Sequence, residues 1–212
     1  MTRPGPVLLI GCGALAREIK WAIKRNCWQH MELTCLPADL HNRPQQIPGA
    51  MRSKILAAKK TGIYSAIFAI YGDCGTGGLL DKVLQEEGVE RMAGAHCYEF
   101  YAGTPAFEAL TEEELGSLYL TDYLVRFFDR LIFKGLGLDR FPHLRDDYFG
   151  HYKRVVYLSQ NATPDLIEQA KIAAQRLDLD FVHRPTGIGG IEMFLQTSTA
   201  AMQTNMDVLE DA

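Results

Sequence analysis

Three cysteines stand where the chain changes from one regular pattern to another: Cys12 in IGCGALARE, Cys74 in YGDCGTGG and Cys97 in GAHCYEFYAG. Each follows an apolar run that reads as a strand and precedes a helical pattern. In an open α/β sheet the carboxyl ends of parallel strands face one edge, so residues distant in sequence meet there. Thiolates bind soft metal ions, and three of them leave a tetrahedral zinc with one open position for substrate or water. The same trio suits an iron–sulfur cluster with one accessible iron. His41, in LHNRPQQIP, points to the same edge and is a fourth candidate ligand. His96 and Glu99 flank the thiols and are candidates to move a proton, and Asp73 is a catalytic candidate that would orient the substrate with the adjacent amides. No CxxC pair occurs, so the metal reading depends on the fold gathering separate loops.

Each of these residues also has an ordinary explanation. A lone cysteine is usually a small buried hydrophobe, and Cys27, at a predicted helix end, and Cys35, alternating with Leu33 in a short strand, are assigned to packing. His41 and His96 also suit surface hydrogen bonding, and Glu99 suits a carboxylate at a helix start. In GDCGTGG, residues Gly75, Thr76 and Gly77 are candidates to bind a substrate group through backbone amides. The loop lacks the Lys-Ser/Thr ending of a nucleotide P-loop. Tyr98, Tyr101, Tyr148 and His151 are candidate pocket walls. Cys97 beside His96 is an alternative nucleophile, whereas no G-x-S-x-G elbow occurs.

A rival reading uses the first loop. Gly11, Gly13 and Ala16 form the G-x-G-x-x-A variant of a dinucleotide fingerprint, and Asp39 follows the second predicted strand where a ribose ligand belongs. That reading is an NAD-type oxidoreductase. A third is a non-catalytic metal carrier, whose site would be closed by protein ligands.

The elements that must position these residues alternate regularly. Val7 to Ile10 is a buried strand, and Leu15, Ile19, Ala22 and Ile23 give the next helix its inner face. A strand at Leu33 to Leu36 leads to a proline-rich loop and a helix at about 50–60 with Met51, Ile55 and Leu56 inward. Strand Ala66 to Tyr71 precedes a helix bearing Leu79, Leu80, Val83 and Leu84, closed by Gly88. A short strand at Val89 to Ala93 and a helix at about 105–110 follow. TDYLVRFFDRLIFKG reads as one amphipathic helix capped by Thr121 or Asp122. On it Arg126 and Arg130 are expected to pair with Asp122 and Asp129, or alternatively to neutralise a substrate carboxylate. After a long loop come a strand at Arg154 to Leu158, a helix begun at Pro164, a strand at Leu179 to Val182 and a helix around Ile191 to Thr197. The tail at about 201–212 has no sustained pattern and is expected to fray.

This order predicts an α/β, Rossmann-like fold: one domain over 1–212, with a mostly parallel sheet and helices on both faces. The 212 residues are 47% hydrophobic and 23% charged, with net charge −4. That balance permits a large core and disfavours nucleic acid as a partner. No apolar run suits a signal peptide or a membrane span, so a cytoplasmic protein with no membrane partner is expected. Five cysteines without an export signal are expected to be reduced thiols. A homodimer is the default assembly.

The segments CGALARE, LHNRPQ, YGDCGTGG, HCYEFYAG, LTDYLVRFFDRL, GLGLDR and RVVYLSQ together resemble the domain-of-unknown-function family 1638 of methanogenic archaea and bacteria, from about Leu9 to Glu192. The resemblance implies a context of corrinoid-dependent methyltransferase systems acting on methylated amines. A corrinoid protein or a methyltransferase would then be a partner, and the chain a zinc-dependent methyltransferase or its accessory factor. Zinc on Cys12, Cys74 and Cys97, with a small-molecule thiol in the open position, would keep that thiol nucleophilic for methyl transfer. The resemblance carries no catalytic assignment onto individual residues.

Overall fold

A computed structural model of the chain describes residues 5–113 and 116–198. The tail at 201–212 lies outside the described residues. The expected α/β, Rossmann-like organisation is present, and its strands are shared between two parallel sheets.

The first sheet is built from β1 (Val7–Cys12), β2 (Met31–Leu36), β3 (Ala66–Ile70) and β4 (Glu90–Arg91), in the order β2-β1-β3-β4. β1 is buried along its whole length because it is central and covered on both faces, as its unbroken apolar run implies. Its register aligns Gly11 with Cys35 on one side and Ile70 on the other. The crossovers are α1 (Ala16–Arg25), α2 (Ile47–Thr61) and α3 (Leu79–Glu86). Pro48 sits in the first turn of α2, where no amide partner is lost, so this helix starts earlier than its sequence pattern suggests. Leu56 and Leu79, expected in the core, are exposed.

After β4 come α4 (Glu99–Ala102) and α5 (Thr104–Glu113). The second sheet then forms from β5 (Ser117–Thr121), β6 (Arg154–Ser159) and β7 (Asp180–Pro185), in the order β5-β6-β7. The single helix expected over TDYLVRFFDRLIFKG is divided. α6 (Asp122–Arg126), capped by the Thr121 hydroxyl, ends at Phe127, and a π-helical turn spans Asp129–Phe133. α7 (Leu144–Phe149) interrupts the long loop, and α8 (Pro164–Arg176) is capped by Thr163.

Each sheet has its own apolar core. Around the second, Leu120, Val155 and Tyr157 pack with Leu166, Ala170 and Ala173 of α8. Around the first, the strands pack with α1 and α2, and also with Ile188, Ile191 and Leu195 from the end of the chain. The helical residues 189–198 therefore return from the second lobe to the first. Phe194 meets Phe68 edge-on, and Glu192 accepts from Asn26. A smaller cluster of Phe107, Val156 and Leu158 seats α5 on the second sheet. These contacts fix the edge of one lobe against the other. No helix among the described residues is long and apolar enough to cross a membrane.

Candidate functional site

The carboxyl ends of the first sheet open on a cavity of about 180 Å³ that the second lobe closes. Cys12, at the last position of β1, Cys74, beyond β3, and Cys97, beyond β4, all line it, as does His41 from the segment after β2. Four strand ends thus deliver three thiols and one imidazole to a single space.

Two loops bring Cys74 and Cys97 together. Asp73 and Cys74 donate their amides to the carbonyls of Gly94 and Ala95, so the loops run side by side. Gly72 permits this approach: a Cβ there would lie 3.0 Å from the His96 carbonyl carbon and 3.1 Å from the Cys97 amide nitrogen. Arg91 donates to the carbonyls of Met92 and Gly94, and Glu99 accepts from the amides of Ala95 (2.8 Å) and His96 (3.2 Å). Glu99 is therefore spent on shaping the loop, and it does not line the cavity.

Asp73 does the same work on the other loop. It accepts from the Thr76 hydroxyl at 2.6 Å and from the amides of Gly77 and Gly78. The Thr76 hydroxyl, with those amides, holds its carboxyl below the usual carboxylate range. The amides that sequence reasoning offered to a substrate are consumed by Asp73, and Gly75, Thr76 and Gly77 do not line the cavity.

The backbone of Cys74 is left-handed, with φ +49°. Among the described residues, Cys27 and Asp178 are the other non-glycine residues of this kind, and both follow helix ends, where the conformation is common. Cys74 instead sits on the elbow between β3 and α3. A non-glycine residue held this way is strained, and such strain concentrates at functional sites.

The thiols are electrostatically unequal. A hydrogen bond from Cys97 pulls Cys74 well below the usual thiol range, against the cost of burial, with further help from a hydrogen bond and positive charge at His41. Cys97 is pushed up by the same hydrogen bond and by burial. The pair therefore titrates as a unit, with one proton kept on Cys97 and the charge on Cys74. Burial raises Cys12 to about 11, although the Ala14 amide and the Tyr71 hydroxyl hydrogen-bond to it. His96 is exposed and lies outside the cavity lining, but its charge also favours the Cys74 thiolate.

The rest of the wall is mostly apolar and aromatic. Tyr98 and Tyr101 line it as expected, whereas Tyr148 and His151 are exposed and do not. Tyr119 and Tyr123 complete the opposite side, with Leu124, Leu131 and Ile132. Tyr119 was missed because β5 was not recognised, and Tyr123, Leu124, Leu131 and Ile132 were read only as parts of one amphipathic helix. The alternation in SLYLT was the only signal of β5. Tyr98, Phe107 and Tyr119 form a continuous ring cluster with centroids 5.3–6.2 Å apart.

The expected arginine pairs are replaced. Asp122 is buried and accepts from the Tyr157 hydroxyl at 2.7 Å and from the amides of Gln160 and Asn161. Asp129 pairs with Arg176, and Arg130 lies over the Phe127 ring. Neither Arg126 nor Arg130 lines the cavity.

Among the described residues, no group of three or more His, Cys, Asp or Glu side chains is arranged to hold a metal ion. The donors are right in kind, but their positions do not form a closed ligand set. The glycines of the dinucleotide pattern are accounted for by protein packing. A Cβ at Gly13 would stand 3.1 Å from the Leu36 carbonyl oxygen, and one at Gly11 would stand 3.0 Å from Ile19. The close approach that Gly13 permits is taken by the chain leaving β2.

No curated protein and no solved structure matches the chain. The matching family model spans residues 35–195, which takes in His41, Cys74 and Cys97 and leaves Cys12 outside. With most of its length inside that match, the chain belongs to the family described as a protein of unknown function, DUF1638.

Proposed function

We propose that the interlobe cavity is a thiolate-dependent group-transfer site in which the Cys74 sulfur receives the group. The observation that carries this reading is the setting of Cys74: a strained strand-to-helix elbow, a hydrogen bond from Cys97, and His41 within hydrogen-bonding reach, all on one cavity. A thiolate is the reactive form of cysteine, and these neighbours favour it at neutral pH. Cys97 retains the shared proton, so the pair carries a single negative charge. The mostly apolar and aromatic lining lowers the local dielectric, which strengthens the interaction of that charge with a substrate.

The cavity admits a molecule on the order of benzene in size, since ~150 Å³ suffices for benzene. A methyl group on a quaternary amine suits both the space and the lining, because tyrosine faces attract such cations. In the step proposed, a Cys74 lone pair forms a C–S bond to the methyl carbon as its C–N bond breaks. The electron pair stays on nitrogen, so thiolate and ammonium become thioether and neutral amine. The family resemblance suggests a corrinoid protein as the next acceptor. We place the protein in the cytoplasm, where thiols stay reduced. Peptide mapping after incubation with tetramethylammonium is expected to find a methyl thioether at Cys74, and none in Cys74→Ser. An unmodified Cys74 after full exposure would rule out this donor class.

A second reading is a soft-metal centre, favoured by one observation: Cys12, Cys74, Cys97 and His41 share one cavity wall. It requires the thiols to close on the metal and Cys12 and Cys97 to lose their protons, so no step is built on it. Elemental analysis of protein purified without oxygen decides it. About one zinc per chain, or the visible absorption of an iron–sulfur cluster, lost in each of the three Cys→Ser variants, would support the metal reading. Metal-free protein that retains the Cys74 reactivity would dismiss it.

A further inference from the structure

A second cavity of about 170 Å³ lies between the lobes and shares no lining residue with the first. Its walls come from α1 (Arg17, Glu18 and Trp21), from the start of α6 (Asp122), from the loop after β6 (Gln160 and Asn161), and from Ile188. Most of the polar groups there are already committed. Asp122 has its three donors, and the Gln160 amide accepts from the Asp122 amide while donating to the Leu158 carbonyl.

Two charged side chains, Glu18 and Arg17, are not committed. Glu18 is only 7% exposed, and its Oε2 has no hydrogen-bond partner. Burying a carboxylate oxygen without a donor is costly, so natural structures rarely leave one. Arg17, its neighbour in sequence, lines the same cavity and is exposed. It makes no hydrogen bond or ion pair among the described residues. An acid and a base thus face one small space with no hydrogen bond or close ion pair between them. Trp21 is 48% exposed beside them, and Ile188 is buried.

We propose that this cavity binds a small free α-amino acid, its ammonium group donating to Glu18 and its carboxylate accepting from Arg17. The ligand must supply an N–H or O–H to Glu18, which a quaternary amine cannot do. It must also bring an anion to Arg17, whose planar donor fork matches a carboxylate. The volume limits it to a compact side chain, which would rest against Trp21 and Ile188. Burial raises the Glu18 carboxyl above its usual range, the direction expected of a group awaiting a donor. The proposal is independent of the cysteine chemistry.

Each common amino acid is titrated in turn into the full chain by calorimetry, with ethylamine and propionate as half-ligands. At least one small amino acid is expected to bind, and each half-ligand to bind about tenfold more weakly or worse. Glu18→Gln and Arg17→Met are each expected to weaken the amino acid by about tenfold or more while leaving Cys74 alkylation unchanged. The unchanged alkylation also reports that the variants fold. Absence of binding by every amino acid, or equal binding of ethylamine alone, would overturn the proposal. Undiminished binding in both variants would overturn it as well.

Discussion

The two lobes repeat one parallel architecture yet divide the cavity unequally. All five cysteines lie in the first 97 residues, and the described part of the second lobe has none. The first lobe supplies the thiols from its strand ends with Tyr98 and Tyr101 beside them, and the second supplies the opposite wall, Tyr119 and Tyr123 with apolar side chains of α6 and the π-helical turn. Reactive groups need exact mutual placement, which adjacent strand ends of one sheet provide. A wall needs only area and dryness, so it can come from a lobe that docks. Cys74 reactivity should therefore respond sharply to changes in the first lobe and weakly to changes in the second.

Cys74→Ser is the largest test. It is expected to abolish the fast alkylation at neutral pH altogether, measured by mass spectrometry of mapped peptides. Next, Gly72→Ala drives a Cβ into the backbone of His96 and Cys97. It is expected to cost about 2 kcal/mol of stability in urea unfolding and to slow the alkylation by separating Cys97 from Cys74.

On the second lobe, Asp122→Ala removes the acceptor of three buried or half-buried donors. A loss of about 3 kcal/mol is expected in the same assay, with the pH midpoint of Cys74 unchanged. A shifted midpoint would break the division of labour. His41→Ala in the first lobe should do the reverse: little change in stability, and a rise of about one unit in the Cys74 midpoint as the hydrogen bond and positive charge are lost.

The smallest effect concerns Asp73, whose carboxyl is lowered in the fold by Thr76 and the loop amides. Its contribution is complete above the unfolded value of about 3.9 and is lost as pH falls through the lower folded value. Asp73→Asn should flatten the acid limb of the stability curve in that window, as read by thermal unfolding.

Much of the first lobe was legible in the sequence because its signals are local. The apolar run of β1, the glycine elbow at Cys74 and the helical stripe of α1 each appear within a dozen residues. The wall from the second lobe was not legible. SLYLT is only five residues long and runs directly into α6, so the helical spacing of Leu124 and Phe128 masked its alternation. The break at Phe127 and the π-helical turn have no proline or glycine to announce them. Asp122 looked like a surface charge because its buried partners lie 35–39 residues away. Glu18 lies outside the apolar stripe of α1, and the second lobe that covers it is remote in sequence. The roles of Asp73 and Glu99 depended on which backbone amides they met, and residue type alone leaves that open.

Cys74, and neither of the other cavity thiols, is proposed to carry the charge. The location of the charge is tested most directly by the pH dependence of alkylation with iodoacetamide, a small uncharged probe suited to the cavity, with each cysteine quantified by peptide mapping. Cys74 is expected to react at full rate already below neutral pH, while Cys12 and Cys97 stay protected until strongly alkaline conditions. A Cys74 midpoint near the ordinary thiol value of about 8.5, or labelling of Cys97 ahead of it, would place the charge elsewhere and overturn the assignment of Cys74 as the thiolate.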